Sequence, residues 1–185
     1  MLVLIIGGSG SGKSAYAEKY TVRLSGERKK YYLATMQVFD EEGLKKIEKH
    51  RKQRSGKGFV TIEQQTSICE ALREMDDGGK NPAEGRTALL ECMSNLVANE
   101  MFSGETPNSW GAVADKVVRE TKLLGSKLGH LVIVTNHVFE DGMIYDETTM
   151  EYRKALGSTN ERLAAIADRV VEVVVGIPVI MKEGN

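Results

Sequence analysis

A glycine-rich segment near the start of the chain has the residue types and spacing of a phosphate-binding loop. It reads Gly7-Gly8-Ser9-Gly10-Ser11-Gly12-Lys13-Ser14 and matches G-x-x-x-x-G-K-[ST] at every defined position. Glycines let the backbone curl so that successive N–H groups point at phosphate oxygens, at the positive end of the following helix. In this pattern Lys13 reaches the terminal phosphates and Ser14 ligates Mg²⁺. The whole segment is therefore predicted to bind a nucleotide, and Lys13 to act in catalysis as well.

The segments on either side of this loop have the patterns of a strand and a helix. Residues 2–6 form an unbroken apolar run bounded by glycine, which is typical of a buried parallel strand. Residues 14–24 contain helix formers and no proline or glycine. Strand, glycine turn and helix follow in the order that a phosphate loop requires, which disfavours an ordinary βα turn. The loop alone does not separate a kinase from a GTPase, an ATPase motor or a transferase, because all of these share it.

Composition predicts one soluble α/β domain over residues 1–185. The chain has 185 residues, 41% apolar and 28% charged, which leaves no room for a second full domain. A net charge of −1 provides no overall field to attract nucleic acid or an anionic membrane. Cys69 and Cys92 lack metal-ligand spacing, so neither structural zinc nor a disulfide framework is expected, and a reducing cytoplasm is the natural location. No apolar run approaches the ~20 residues of a membrane span.

Apolar runs and turn residues predict the remaining elements of a mostly parallel sheet. Strands are expected over residues 31–34, 59–62, 87–91, 131–134 and 170–175, and helices over 40–54, 66–75, 110–128 and 156–168, with a polar loop over 139–149. Trp110, Leu163, Ile166 and Ala167 are expected to face the core. The strand over 131–134 should end beside the phosphate loop, where open α/β sheets bind ligands. His137 at that end is either a substrate contact or an incidental histidine.

The strand over residues 87–91 ends in an acidic residue. In phosphate-loop proteins a carboxylate at such a strand end commonly orders the Mg²⁺ shell. Glu91 is therefore predicted to share a metal site with Ser14. The alternative is a carboxylate that only caps the next segment.

A histidine lies within a strongly basic segment. The predicted helix over 40–54 has only Leu44 and Ile47 as apolar anchors, so it should lie on the surface, with His50 one turn beyond Ile47. A neutral imidazole is nucleophilic near pH 7 and can attack the α-phosphorus of a nucleotide. Neighbouring cations, among them Arg51 and Arg54, would stabilise the charged transition state. A solvated charged helix is the alternative interpretation.

Several blocks of the chain together resemble the bifunctional adenosylcobinamide kinase/adenosylcobinamide-phosphate guanylyltransferase family of cobalamin synthesis. The first two are the phosphate loop and the segment Tyr32-Leu33-Ala34-Thr35, followed by a His-Arg-x-x-Arg pattern at His50, Arg51 and Arg54. The others are Leu89-Leu90-Glu91-Cys92 with Asn99, Val134-Thr135-Asn136, and Tyr152-Arg153 with Gly157, Asn160, Leu163 and Ala164. The resemblance spans nearly the whole chain, and the second block is its most specific part.

The resemblance implies a RecA-like phosphate-loop NTPase fold, a mostly parallel sheet flanked by helices, often assembled as a trimer, and hence a homo-oligomer. It implies an enzyme that uses ATP or GTP, with Mg²⁺, to phosphorylate the aminopropanol hydroxyl of adenosylcobinamide and then transfers GMP from GTP onto that phosphate. The family histidine that carries GMP covalently matches His50. Further nucleotide contacts carried over are Ala34, Thr35, Met36, Arg51, Lys52, Gln53, Arg54, Glu63 and Glu91.

The chain departs from the family pattern in two places, and three other functions compete with the family function. The usual Arg-x-x-x-Gly-Arg-x-Asn pattern is altered here to Arg153, Gly157, Ser158 and Asn160. After Asn136 the family continues with Glu-Val-Gly, whereas this chain reads His137-Val138-Phe139. The closest alternative is a small-molecule or nucleoside kinase that never forms a nucleotidyl-enzyme. A GTPase switch is disfavoured because no N-K-x-D follows the strand over 131–134. A RecA-like nucleic-acid binder would need aromatic residues in the basic segment and an overall basic charge, and the sequence has neither.

Overall fold

The computed structural model describes residues 1–37, 56–75, 85–137 and 145–184. Among them, seven strands form one sheet in the order β3-β2-β4-β5-β1-β6-β7. All neighbouring strands run parallel except β6 and β7, which form an antiparallel hairpin at one edge. The strands are β1 (Leu2–Gly7), β2 (Lys29–Ala34), β3 (Phe59–Glu63), β4 (Arg86–Glu91), β5 (His130–Asn136), β6 (Arg169–Val174) and β7 (Ile177–Glu183).

Helices cover both faces of this sheet. Those in the described residues are α1 (Lys13–Ser25), α2 (Met93–Met101), α3 (Trp110–Ser126) and α4 (Glu147–Ile166), with a 3₁₀ helix over Ile68–Arg73. Val3 and Ile5 of β1 pack in the core layer that also contains Ala17 of α1. Leu4 points to the opposite layer, with residues of α2, α3 and α4. Because β1 is covered on both sides, its apolar run is continuous rather than alternating.

The predicted fold class is confirmed, since a mostly parallel sheet is flanked by helices and the phosphate loop connects β1 to α1. The carboxyl ends of the six parallel strands form one side of the sheet, here called the carboxyl edge. Gly7 at the end of β1 pairs in register with Asn136 at the end of β5. The strand over 131–134 therefore ends beside the phosphate loop, as predicted.

Several local predictions are wrong. The last helix begins at Glu147 rather than near residue 156, because Asp146 caps it by accepting a hydrogen bond from the Thr149 backbone N–H at 3.0 Å. Trp110 and Ile166 are 39% and 38% exposed, because each lies at a helix end, beyond the part that packs on the sheet. The α-helix expected over 66–75 is a shorter 3₁₀ helix.

Helix α2 is absent from the sequence predictions, although the buried residues Met93, Leu96, Val97 and Met101 have helical spacing. The helix predicted over 40–54 lies outside the described residues, as does most of the loop predicted over 139–149. None of the helices in the described ranges has the length and apolar character needed to cross a bilayer.

Candidate nucleotide-binding and phosphoryl-transfer site

The phosphate loop forms a tight turn at the carboxyl edge. Gly10 and Gly12 adopt left-handed φ values of 71° and 88°, which L side chains rarely adopt. A Cβ on Gly7 would lie 2.6 Å from Ser11 Oγ and 2.7 Å from the Val173 carbonyl oxygen. The loop therefore requires glycine at the position where it leaves β1, as well as at its two left-handed turns.

Lys13 is the first residue of α1, and its side chain folds back across the loop. Its ammonium group donates a hydrogen bond to the Gly8 carbonyl at 2.9 Å, and the residue is only 8% exposed. Burial lowers the pKa of Lys13, and the nearby Glu91 carboxylate partly opposes this shift. A buried cation inside a loop of backbone N–H groups is a suitable partner for phosphate oxygens.

Ser14 and Glu91 are in direct contact. The Ser14 hydroxyl donates to Glu91 Oε1 at 2.5 Å, although the two residues are 77 positions apart in the chain. Glu91 ends β4, two strands away from β1 in the sheet. A hydroxyl and a carboxylate are the oxygen ligands that Mg²⁺ takes from proteins when phosphates and waters supply the rest. The donor set at this point fits a nucleotide-bound magnesium ion.

Thr35 connects the end of β2 to the residues around Glu91. Its backbone N–H donates to the Glu91 carbonyl at 3.1 Å. Its buried hydroxyl donates to the Cys92 carbonyl and accepts from the Cys92 N–H, both at 2.8 Å. Asn99 of α2 donates to the Thr35 carbonyl at 2.7 Å and to the Gln65 carbonyl at 2.8 Å. The Thr35 hydroxyl and carbonyl thus hold the carboxyl edge together around the predicted metal ligand.

A second set of hydrogen bonds centres on Ser94. Its hydroxyl accepts from the Asn136 amide at 2.7 Å and lies 3.0 Å from the Cys92 sulfur. The Tyr152 hydroxyl donates to the Ser94 carbonyl at 3.2 Å. Burial raises the pKa of Tyr152 to about 12, so the phenol stays protonated at neutral pH. These contacts join α4 and the end of β5 to the start of α2. The sequence analysis did not identify Ser94 as a site residue.

Two further contacts flank the phosphate loop. The Gly176 backbone N–H, in the turn between β6 and β7, donates to the Ser11 carbonyl at 2.8 Å. On the other side, the His137 N–H donates to the Gly7 carbonyl at 3.2 Å, and His137 Nδ1 lies 3.6 Å from Glu172 Oε1. His137 therefore lies next to the loop. The hydrogen bond from Gly176 to Ser11 joins residues near opposite ends of the chain, so no local pattern in the sequence predicts it.

The remaining predicted site residues fall into two groups. Ala34 pairs in register with Glu63 on β3 and with Glu91 on β4, so these three lie side by side at the carboxyl edge, with Met36 just beyond β2. The predicted catalytic residue His50 and the predicted contacts Arg51, Lys52, Gln53 and Arg54 lie outside the described residues.

Comparison with known proteins identifies one family over nearly the whole chain. Residues 3–181 match the family model described as cobinamide kinase / cobinamide phosphate guanyltransferase. The bifunctional adenosylcobalamin biosynthesis protein CobU of Escherichia coli (strain K12) is 31% identical over 191 residues, which cover 98% of this chain and 100% of that protein. The protein of the same name from Salmonella typhimurium (strain LT2) is 31% identical over 193 residues, with the same coverage of both chains.

Among solved structures, a chain described as an ATPase domain has a similar fold. Its TM-score is 0.56 at 15% sequence identity, and the match covers 92% of this chain and 68% of that one. At this identity the likeness concerns the fold alone, and it agrees with the predicted phosphate-loop NTPase fold.

Proposed function

The chain belongs to the cobinamide kinase / cobinamide phosphate guanyltransferase family, and on that premise we propose how its residues share the two reactions. The protein is a bifunctional kinase and guanylyltransferase of adenosylcobalamin biosynthesis. The observation that carries the assignment of residues is the contact of Ser14 with Glu91 beside the buried Lys13, at the end of the glycine-rich loop.

In the kinase reaction the phosphate loop holds ATP or GTP through its backbone N–H groups and the Lys13 ammonium. The hydroxyl oxygen of cobinamide attacks the γ-phosphorus, the bond from that phosphorus to the β,γ-bridging oxygen breaks, and the hydroxyl proton is released to solvent. Lys13 stabilises the charge that develops on the transferring and leaving oxygens. Ser14 and Glu91 would hold Mg²⁺, which neutralises charge on the β- and γ-phosphates when bound.

In the guanylyltransferase reaction, His50 is the proposed nucleophile. An imidazole nitrogen attacks the α-phosphorus of GTP, and the bond to the α,β-bridging oxygen breaks, so that pyrophosphate leaves. A phosphate oxygen of cobinamide phosphate then attacks the same phosphorus and releases His50. Arg51, Lys52 and Arg54 would balance the negative charge, with Gln53 as a further nucleotide contact. This proposal rests on the His-Arg-x-x-Arg pattern and the family membership.

Labelled GTP tests the two-reaction assignment directly. Incubation of the protein with GTP labelled at the α-phosphate is expected to give protein-bound label that is acid-labile and base-stable, as a phosphoramidate on histidine should be. Addition of cobinamide phosphate should discharge the label into a corrinoid product. GTP labelled at the γ-phosphate is the control and should leave none on the protein. A protein that never takes up α-label would be a kinase without nucleotidyl transfer.

Glu91→Gln tests the proposed metal site. Glutamine can still accept the Ser14 hydrogen bond but brings no charge to the ion, so the Mg²⁺ concentration needed for half-maximal kinase activity should rise about 10- to 100-fold. The measurement is a magnesium titration of the kinase rate at saturating nucleotide. Glu70→Gln, an exposed change on the 3₁₀ helix, is the matched control and should leave the titration unchanged. An unchanged magnesium requirement in Glu91→Gln would remove Glu91 from the metal site.

The assembly expected from the resemblance is also a proposal. We expect a homo-oligomer, with a trimer as the first candidate, and light scattering of the purified protein would measure its mass.

A further inference from the structure

His137 lies where β5 ends at the phosphate loop. Asn136, the last residue of β5, pairs in register with Gly7, and the His137 backbone N–H donates to the Gly7 carbonyl at 3.2 Å. The Lys13 ammonium donates to the carbonyl of the next loop residue, Gly8. Because the lysine of a phosphate loop reaches the β- and γ-phosphates, this contact marks the part of the loop where the γ-phosphate would bind. His137 is therefore next to the phosphate that the kinase reaction transfers.

A carboxylate faces one nitrogen of the His137 ring. Glu172 lies on β6, on the other side of β1 from β5, and pairs in register with Ile6, the residue before Gly7. Its Oε1 atom is 3.6 Å from His137 Nδ1, so the contact is electrostatic rather than a direct hydrogen bond. The carboxylate favours the tautomer with the proton on Nδ1, which leaves Nε2 as the nitrogen that accepts a proton. It also stabilises the imidazolium that forms when Nε2 does so.

The His137 ring has the exposure and the chemistry that the kinase reaction needs at this place. Its side chain is 46% exposed, so it can meet a substrate and can pass a proton to water. Of the ionisable groups assigned to the kinase reaction, Lys13 is a cation and Glu91 is a metal ligand. Neither is suited to take the proton of the attacking hydroxyl, whereas histidine is the side chain that most often does so in enzymes.

We propose that His137 is the general base of the kinase reaction and that Glu172 is its positioning residue. Nε2 accepts the proton of the cobinamide hydroxyl while the hydroxyl oxygen forms its bond to the γ-phosphorus and the bond to the β,γ-bridging oxygen breaks. The imidazolium then releases the proton to water, which restores the base for the next turnover. The inference rests on the proposed function in that the phosphate loop holds the donor of a kinase reaction. It gives His137 no part in guanylyl transfer.

His137→Ala separates a general base from a support of the loop. Alanine keeps the backbone N–H that bonds to Gly7, so GTP affinity and uptake of α-label should not change. The kcat of cobinamide phosphorylation should fall about 100-fold, at the low end of the usual contribution of a general base, with KM for cobinamide unchanged. Imidazole added to the assay should raise the rate of the variant about 5- to 10-fold, because it can take the place of the missing ring, and should not accelerate wild type.

Glu172→Gln tests the positioning role. Glutamine keeps the shape of the side chain but removes the charge that stabilises the imidazolium, so kcat should fall about 3- to 10-fold, and added imidazole should not restore it. The double variant His137→Ala/Glu172→Gln should be no slower than His137→Ala, because Glu172 acts through the ring. Losses that multiply in the double variant would remove Glu172 from this role.

His130→Ala is the matched control, since His130 begins β5 and therefore lies at the far end of the strand that leads to His137. It should leave the kinase rate unchanged with and without imidazole. An unchanged kcat in His137→Ala, a rise only in KM for cobinamide, or a loss that imidazole does not reduce would overturn the proposal. An equal fall in GTP affinity would overturn it too, because the residue would then support the loop. If the wild-type protein phosphorylated no cobinamide, the proposed function itself would fail.

Discussion

Replacement of His50 by alanine is expected to abolish covalent labelling of the protein by α-labelled GTP and all transfer of GMP to cobinamide phosphate. No other group supplies the nucleophile in the proposed mechanism, so the loss should be complete within detection. Phosphorylation of cobinamide should persist at a substantial fraction of the wild-type rate. That reaction uses the phosphate loop, the metal site and the acceptor, but no nucleotidyl-histidine.

The control for this experiment is His130→Ala. His130 begins β5, at the end of the strand opposite to the carboxyl edge, and its ring contacts Arg28 at 3.5 Å. This variant should take up label as wild type does. Label retained by His50→Ala would assign the nucleotidyl group to another residue. Simultaneous loss of both activities in His50→Ala would mean that His50 also serves the kinase reaction.

Lys13→Ala is expected to impair both reactions. The ammonium group lies inside the loop, 2.9 Å from the Gly8 carbonyl, where it would contact the phosphates. We expect kcat/KM of the kinase reaction to fall about 10³-fold, a typical loss for one preorganised electrostatic group. Binding of GTP should weaken, and so should binding of inorganic tripolyphosphate, which lacks a nucleoside. Steady-state kinetics and competition binding measure these effects.

The fold should survive the loss of Lys13. Burial lowers the pKa of Lys13, so the folded chain carries this charge at a cost in stability, and alanine removes that cost. A thermal midpoint at or above the wild-type value would therefore accompany the loss of activity. Lys19→Ala, an exposed lysine on the same helix, is the control and should change neither affinity nor rate. Tripolyphosphate affinity that survives Lys13→Ala would show that phosphate binds elsewhere.

Local patterns were sufficient to predict the phosphate loop, the apolar strands and the class of fold. The loop is a run of adjacent residues, and its glycines are required by local backbone geometry at Gly10 and Gly12. Strands such as β1 and β5 are covered on both faces, so their continuous apolar runs are visible in the sequence. The motifs that indicated the family are likewise sets of residues close together in the chain.

Only the tertiary structure decided which distant residues meet. Hydrophobic periodicity indicates which residues are buried, but it does not indicate which strands are neighbours in the sheet. The strand order is therefore known only from the tertiary structure. That order brings Glu91 to Ser14, and it places the turn containing Gly176 against Ser11, more than 160 residues earlier in the chain. Likewise, Trp110 is partly exposed because it is the first residue of α3. The sequence shows that this side chain is apolar, but not whether the sheet extends far enough to cover the end of the helix.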